Sequence, residues 1–176
     1  MFSQELLEKS AQLLQKCRDN GTKLMTAESC TGGLIGGVLT EIAGSSDVFE
    51  RGHIVYSNHA KTVLLGIKDS TLKQHGAVSS ETAAEMAVGA LLHHPRETTG
   101  NRYLAVAVTG VAGPGGGSAA KPVGTVWFGL AVLDAGSATP QITTEKHVFD
   151  GDRCAVRLAT VNKALDLFAD KFTDIA

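Results

Sequence analysis

The chain has 176 residues, which suits one domain with a sizeable apolar core and leaves little room for a second. Its 16 basic and 18 acidic side chains give a net charge of −2, so there is no broad basic field to hold nucleic acid or an anionic membrane. No apolar run approaches the roughly 20 residues of a membrane span, and the amphipathic N-terminus does not resemble a signal peptide. We therefore expect no nucleic-acid or membrane partner.

Hydrophobic periodicity and turn residues predict an alternation of helices and strands. In chain order they are a helix at 3–19, a strand at 23–27, a helix at 31–42, a strand at 48–56, two short helices at 61–65 and 70–74, a helix from 80 to near 93, a strand at 103–109, a hairpin with strands at 123–133 and 142–149, and a helix at 152–172. Strands that alternate with helices and end in a hairpin predict an α/β fold, a three-layer α/β/α sandwich around a mixed sheet, in one domain over residues 1–176.

The first strand ends in a cluster of small and polar residues at positions 28–33. A strand that turns tightly into a helix presents one side chain, here Ser29 or Cys30, beside unpaired backbone N–H groups. A nucleophile next to N–H donors for an oxyanion is the requirement of acyl-transfer chemistry. An equally simple interpretation is that these small residues only allow close packing, with Ser29 or Thr31 as the helix N-cap.

A second glycine-rich segment, residues 110–118, follows the apolar strand at 103–109. Because ligands in open α/β sheets gather at the carboxyl ends of the strands, the two turns are expected to face one pocket. The segment lacks the Gly-Lys-Ser/Thr ending of a Walker loop and the glycine order of a dinucleotide fingerprint. We therefore predict no cofactor.

A serine nucleophile needs a base, and the six histidines show no metal-ligand spacing and no obvious catalytic arrangement. Lys61 is an alternative base if burial lowers its pKa, although a surface lysine at a helix start is the simpler interpretation. Ser70 and Lys73 match a bare Ser-x-x-Lys spacing, which we ascribe to chance without its companion motifs. Arg153 opens the last helix, where it either meets a phosphate or is only the solvated neighbour of a capping Asp152.

Three cysteines, Cys17, Cys30 and Cys154, are an odd number at wide spacing. This fits neither a disulfide framework nor a zinc site, so we expect no metal and a reducing, cytoplasmic environment.

Eight stretches that run in order over nearly the whole chain resemble the CinA C-terminal-domain family, of the PncC, nicotinamide-nucleotide amidase type. They are TAESCTGG from Thr26, AGSS from Ala43, RGHIVYSN from Arg51, AK from Ala60, GAVS from Gly76, TGVAGPGG from Thr109, KPVGTVW from Lys121 and GDR from Gly151. The resemblance implies hydrolysis of the carboxamide of nicotinamide mononucleotide to nicotinic acid mononucleotide and ammonia, without a cofactor. A homodimer is also expected.

Carried over position by position, the resemblance implies that Ser29 is the nucleophile, Lys61 its base and Tyr56 an orienting residue beside them. Oxyanion and substrate-binding roles fall on Cys30, Thr31, Gly32, Gly33, Ser46, Asn58, Thr109, Gly110, Ala112, Gly113 and Arg153, with Arg153 acting in its own subunit or across a dimer interface. Two alternatives stay open: an amidase that uses Cys30, and a non-catalytic nucleotide-binding or regulatory module of the same fold.

Overall fold

The computed structural model describes residues 2–92 and 100–172. Its helices are α1 (Gln4–Asp19), α2 (Leu34–Thr40), α3 (Asn58–Leu65), α4 (Asp69–His75), α5 (Ser80–Leu91) and α6 (Arg153–Ala169). Its strands are β1 (Thr22–Glu28), β2 (Phe49–Ile54), β3 (Arg102–Gly110), β4 (Thr125–Leu133) and β5 (Gln141–Val148). Short 3₁₀ turns cover Ser45–Asp47 and Asp170–Phe172.

The five strands form one mixed sheet in the order β2-β1-β3-β4-β5. β1 lies parallel to both β2 and β3, whereas β3, β4 and β5 pair antiparallel, so the predicted hairpin at the end of the sheet is confirmed. β1 and β3 are buried along nearly their whole length, as expected of central strands covered on both faces.

Two apolar cores, one on each face of the sheet, hold the layers together. On one face α1, α2 and α6 pack against alternate residues of the central strands, including Leu104, Val106 and Val108. On the other face α3 and α5 pack against the intervening residues, including Ala105 and Ala107. The predicted three-layer α/β/α sandwich is therefore confirmed.

The second helix begins later than the periodicity predicts, at Leu34 rather than at residue 31. Gly32 and Gly33 adopt left-handed φ angles of 62° and 95°, which a residue with a side chain rarely adopts. Gly33 is the N-cap and supplies no side-chain hydrogen bond, so the interpretation of Ser29 or Thr31 as the cap is wrong.

The last two helices follow their predictions closely. Asp152 caps α6, with its side chain accepting a hydrogen bond from the Ala155 N–H at 2.8 Å. α5 ends at Leu91, and residue 93, where its end is predicted, lies outside the described residues.

Candidate active site

The ends of β1 and β3 lie side by side at one edge of the sheet, with Glu28 opposite Val108. We define the residues that follow β1, positions 29–33, as the serine turn. The Ser29 N–H donates a hydrogen bond to the Val108 carbonyl at 3.1 Å, which ties the start of this turn to β3. The serine turn and the loop after β3 therefore face a common space, as their positions after parallel strands predict.

Glu28, the last residue of β1, places its buried carboxylate against the serine turn and the start of α2. This carboxylate accepts hydrogen bonds from Thr31 Oγ1 at 2.7 Å and from the backbone N–H groups of Gly33, Ile35 and Gly36 at 2.9, 3.1 and 2.8 Å. It satisfies donors that a helix N-terminus otherwise leaves unpaired. Because Glu28 occupies this helix end, the Gly33 N–H is not available to an oxyanion.

Lys61 reaches the serine turn from the opposite side. The side chain of Ser57 caps α3 by accepting the Ala60 N–H at 3.0 Å, which places Lys61 in the first turn of that helix. The Lys61 residue is only 1% exposed, and its Nζ lies 3.0 Å from Ser29 Oγ and 2.9 Å from the Val55 carbonyl oxygen.

Burial lowers the pKa of Lys61 below its ordinary value of 10.5, since the charged ammonium loses its hydration. A neutral amine keeps one lone pair. With an N–H donated to Val55, that lone pair is free to accept the hydroxyl proton of Ser29. The pair therefore has the distance and the hydrogen bond that a serine nucleophile and its general base require.

Cys30 lies next to Ser29, but its thiol is held in the protonated form. Burial raises the pKa of its thiol to about 11, and this outweighs the lowering effects of a backbone hydrogen bond at Cys30 and of the nearby Lys61 and Arg157. The nucleophilic species of cysteine is the thiolate, which this site disfavours at neutral pH. The geometry and charge state therefore favour Ser29 over Cys30 as the reacting group.

The loop after β3 forms the facing wall. Thr109 is buried, and its hydroxyl donates to the Ala77 carbonyl at 2.7 Å, which joins the end of β3 to the segment before α5. At Gly110 a Cβ would lie 2.7 Å from the Thr125 carbonyl oxygen, so only glycine fits this close approach to β4.

Arg153, at the start of α6, links two parts of the site within the same chain. Its guanidinium donates to the Gly113 carbonyl at 2.7 Å and to the Tyr56 phenolic oxygen at 2.9 Å. Tyr56 is 63% exposed, and its described hydrogen bond goes to Arg153 rather than to the Ser29–Lys61 pair. Tyr56 thus lies at the mouth of the site.

A cavity of about 300 Å³ lies between these elements. The sequence-predicted residues that line it are Ser29, Cys30, Tyr56, Asn58, Lys61, Thr109, Gly110, Ala112, Gly113 and Arg153. Four others do not line it: Thr31, Gly32, Gly33 and Ser46. Thr31 and the two glycines shape the serine turn instead, and Ser46 is exposed on the first 3₁₀ turn.

Two charged residues that touch the serine turn were not predicted as site residues, Glu28 and Arg157. Glu28 carried a local signal, an acidic residue at the junction of an apolar strand and a glycine-rich helix start. Arg157 donates to the carbonyls of Cys30 and Thr31, at 3.1 and 2.7 Å. Its signal was the four-residue spacing from Arg153, which places both arginines on one face of α6.

Among residues 2–92 and 100–172, no group of three His, Cys, Asp or Glu side chains is placed to hold a metal ion. Within the same residues, none of the helices combines the length and the apolar character needed to cross a bilayer.

The fold and site together define an α/β protein with a buried serine–lysine pair at the carboxyl ends of parallel strands. Residues 6–172 match the family model of the CinA C-terminal domain, and the chain belongs to this family. The expected family is thus confirmed.

Full-length relatives and solved structures agree with this assignment. The chain is 44% identical over 172 residues to the nicotinamide-nucleotide amidohydrolase PncC of Escherichia coli K12, covering 98% of each chain. It is 49% identical over 158 residues to the protein of the same name from Enterobacter agglomerans, covering 90% of each. The crystal structure of the competence/damage inducible protein CihA from Agrobacterium tumefaciens superposes with a TM-score of 0.83 at 44% identity, covering 97% of each chain.

Proposed function

We propose that this chain is a nicotinamide-nucleotide amidase, which hydrolyses the carboxamide of nicotinamide mononucleotide to nicotinic acid mononucleotide and ammonia. Two relatives at 44% and 49% identity are named for this hydrolysis. The observation that carries the mechanism is the 3.0 Å contact between Lys61 Nζ and Ser29 Oγ inside a cavity. That cavity, of about 300 Å³, lies at the small end of the range for small-molecule sites.

The proposed reaction begins with proton transfer from Ser29 to the neutral amine of Lys61. The serine oxygen attacks the carboxamide carbon, and the resulting tetrahedral intermediate carries a negative charge on the former carbonyl oxygen. Lys61, now protonated, returns a proton to the leaving nitrogen, so that ammonia departs and an acyl-enzyme remains. Water, deprotonated by the same lysine, then releases the acid and restores Ser29.

The oxyanion donor is proposed to be the backbone N–H of Cys30, which directly follows the nucleophile and lines the cavity. The carbonyl of Ser29 belongs to the same peptide plane and accepts a hydrogen bond from the Gly32 N–H at 3.2 Å. This bond fixes the plane and with it the direction of the Cys30 N–H. Gly32 and Gly33 use their own N–H groups inside the turn, so they support the donor rather than serve as donors.

The nucleotide portion is proposed to occupy the remainder of the cavity. Thr109, the adjoining glycine-rich loop and Asn58 line the space beyond the reacting pair. Arg153 borders this same space, which supports the proposal that it meets the phosphate from its own subunit.

We also propose that the chain forms a homodimer through exposed apolar side chains near the site. Ile54, Val63 and Leu64 are 57%, 64% and 47% exposed in a single chain, and Ile54 and α3 adjoin the segment that carries Tyr56. We propose that these three side chains belong to one apolar patch, because such patches mark protein interaction sites. Light scattering coupled to gel filtration measures the mass directly, and a mass of 18.3 kDa for the eluting species would rule out the dimer.

The setting is proposed to be the cytoplasm, with the whole chain acting as one domain. All three cysteines are free thiols in the structure, as expected in a reducing compartment. A single sheet runs between the two cores, which supports one folding unit over the matched residues 6–172.

The deciding experiment is ammonia release from nicotinamide mononucleotide by the purified chain, without added metal or nucleotide. Ser29→Ala and Lys61→Met are expected to abolish release, whereas Cys30→Ala is expected to retain it. Release that persists in Ser29→Ala and disappears in Cys30→Ala would establish a cysteine amidase instead. Saturable binding of the mononucleotide by folded wild type, without ammonia release, would identify a binding module.

A further inference from the structure

We propose that Arg157 is a positioning residue for the oxyanion donor, which it holds through the carbonyl groups of the serine turn. The inference rests on the proposed amidase function and extends it to a residue outside the cavity that contains Ser29. Arg157 lies on α6, one helical turn beyond Arg153. Its Nε donates to the Cys30 carbonyl at 3.1 Å and its Nη2 to the Thr31 carbonyl at 2.7 Å.

A planar guanidinium that bonds two successive carbonyls fixes the orientation of both peptide groups. In each trans peptide the C=O and the following N–H lie in one plane and point in opposite directions. Holding the Thr31 carbonyl therefore also directs the Gly32 N–H away from Arg157. That N–H donates to the Ser29 carbonyl at 3.2 Å, and the plane of this carbonyl contains the Cys30 N–H.

The contacts thus form a continuous path from Arg157 to the proposed oxyanion donor. They run from the guanidinium to the Thr31 carbonyl, through the Gly32 N–H to the Ser29 carbonyl, and so to the Cys30 N–H. The turn needs such a support, because the left-handed Gly32 and Gly33 give its backbone unusual freedom. An oxyanion donor accelerates a reaction only when it is aimed before the charge develops.

Charged side chains hold the serine turn from two directions. The carboxylate of Glu28 accepts the Gly33 N–H at 2.9 Å and the Thr31 hydroxyl at 2.7 Å. Arg157 donates to the carbonyls of the same short segment. Glu28 thus binds two donors of the turn and Arg157 two of its carbonyls, which together favour one arrangement of its peptide planes.

The position of Arg157 argues against direct contact with substrate. Arg153 lines both the cavity that contains Ser29 and the neighbouring cavity of about 640 Å³. Arg157 lines only the neighbouring one. Its removal should consequently slow the chemical step without weakening substrate binding.

The test compares Arg157→Met and Arg157→Lys with wild type and with the control Lys163→Met. Lys163 lies on the same helix and pairs with Glu145 at 2.9 Å, so its replacement also removes a cation from α6. We expect Arg157→Met to lower kcat about 100-fold, as for a misplaced catalytic group, with KM within about twofold of wild type. The kcat of Arg157→Lys should lie between those of wild type and Arg157→Met, since one ammonium group cannot reproduce the two parallel hydrogen bonds of a guanidinium.

Two further measurements distinguish positioning from general loss of structure. Guanidinium ion at millimolar concentration can enter the neighbouring cavity that Arg157 lines, and it should restore part of kcat in Arg157→Met but not in Ser29→Ala. The rate at which a fluorophosphonate labels Ser29 should fall in parallel with kcat, because this reaction also builds negative charge on an oxygen next to the serine.

Wild-type kcat in Arg157→Met, or a raised KM with unchanged kcat, would overturn the proposal. If Arg157→Met does not fold, Arg157→Lys decides by the same division between kcat and KM. Failure of the amidase function is a separate result: wild type would release no ammonia. The fluorophosphonate rates of wild type and Arg157→Met would then still test the positioning role, with equal rates contradicting it.

Discussion

Arg153 and Tyr56 are joined by a hydrogen bond of 2.9 Å from the guanidinium to the phenolic oxygen. The bond connects the start of α6 with the segment between β2 and α3, and both residues border the cavity that contains Ser29. A second guanidinium bond, to the Gly113 carbonyl at 2.7 Å, extends the link to the loop after β3. Three separate segments of one chain therefore meet at the mouth of the site.

Tyr56→Phe tests what this link does. Without the phenolic oxygen Arg153 loses one of its two described acceptors, and we expect KM for nicotinamide mononucleotide to rise about fivefold, or about 1 kcal/mol, with kcat nearly unchanged. Steady-state kinetics of the two proteins provide the comparison. A fall in kcat at constant KM would instead support a role for Tyr56 in orienting the Ser29–Lys61 pair.

The pH dependence of kcat should reveal the charge state of Lys61. Only the neutral amine can accept the Ser29 proton, and burial lowers the pKa of this lysine below 10.5. Activity should thus be lost as pH falls, and the pH of half-maximal activity should lie below 10.5. Initial rates at saturating substrate over a series of buffers measure the profile, and half-maximal activity at or above 10.5 would contradict it. Lys61→Arg, charged at every pH tested, should be inactive throughout.

Much of the fold followed from local patterns, because buried strands and capped helices leave signals within a few residues. The run at 103–109 is apolar throughout and forms the centre of β3, covered by helices on both faces. Glycine-rich turns after two such strands placed the pocket at the correct edge of the sheet.

The Ser29–Lys61 contact was harder to predict from the sequence, because it depends on packing between distant segments. Lys61 follows polar residues at a helix start and resembles a surface lysine, yet it is 1% exposed. Only the packing of α3 against the sheet buries it, and only the family resemblance favoured it. Arg157 contacts Thr31 across 126 positions of sequence, a pairing that no local pattern contains.

Cys30 should prove dispensable and unreactive. Burial raises the pKa of its thiol to about 11 and that of Cys17 to about 12, whereas Cys154 is exposed. Iodoacetamide at pH 8 should therefore modify Cys154 first, as mass spectrometry of the digested protein can show. Cys30→Ala should retain kcat within about threefold, since it removes no reacting group. Rapid labelling of Cys30 together with loss of activity would favour the cysteine mechanism.

Glu28→Gln should destabilise the protein and reduce its activity. The amide keeps the size of the carboxylate but turns one acceptor oxygen into an NH₂ group, which must face the donors of Gly33, Ile35 or Gly36. Unpaired buried donors cost about 1–3 kcal/mol, so we expect urea denaturation to show a loss of about that size. Glu50→Gln, at an exposed acid beside Arg51, is the matched control. Equal stability of the two variants would mean that the carboxylate is not required.

Lys61 should also make the free energy of unfolding depend on pH in a defined direction. A lysine whose pKa is lower in the folded than in the unfolded state binds fewer protons when folded, so stability increases as pH rises toward 10.5. In Lys61→Met this contribution disappears, although the Val55 carbonyl then lacks the bond it accepts at 2.9 Å. That second effect does not vary with pH.

We therefore expect the free energy of unfolding of wild type, relative to Lys61→Met, to rise between neutral pH and 10.5, by about 1.4 kcal/mol for each unit by which the pKa is lowered. Urea denaturation at a series of pH values measures the difference, and a constant difference would mean that Lys61 keeps an ordinary pKa and is not the neutral base that the mechanism requires.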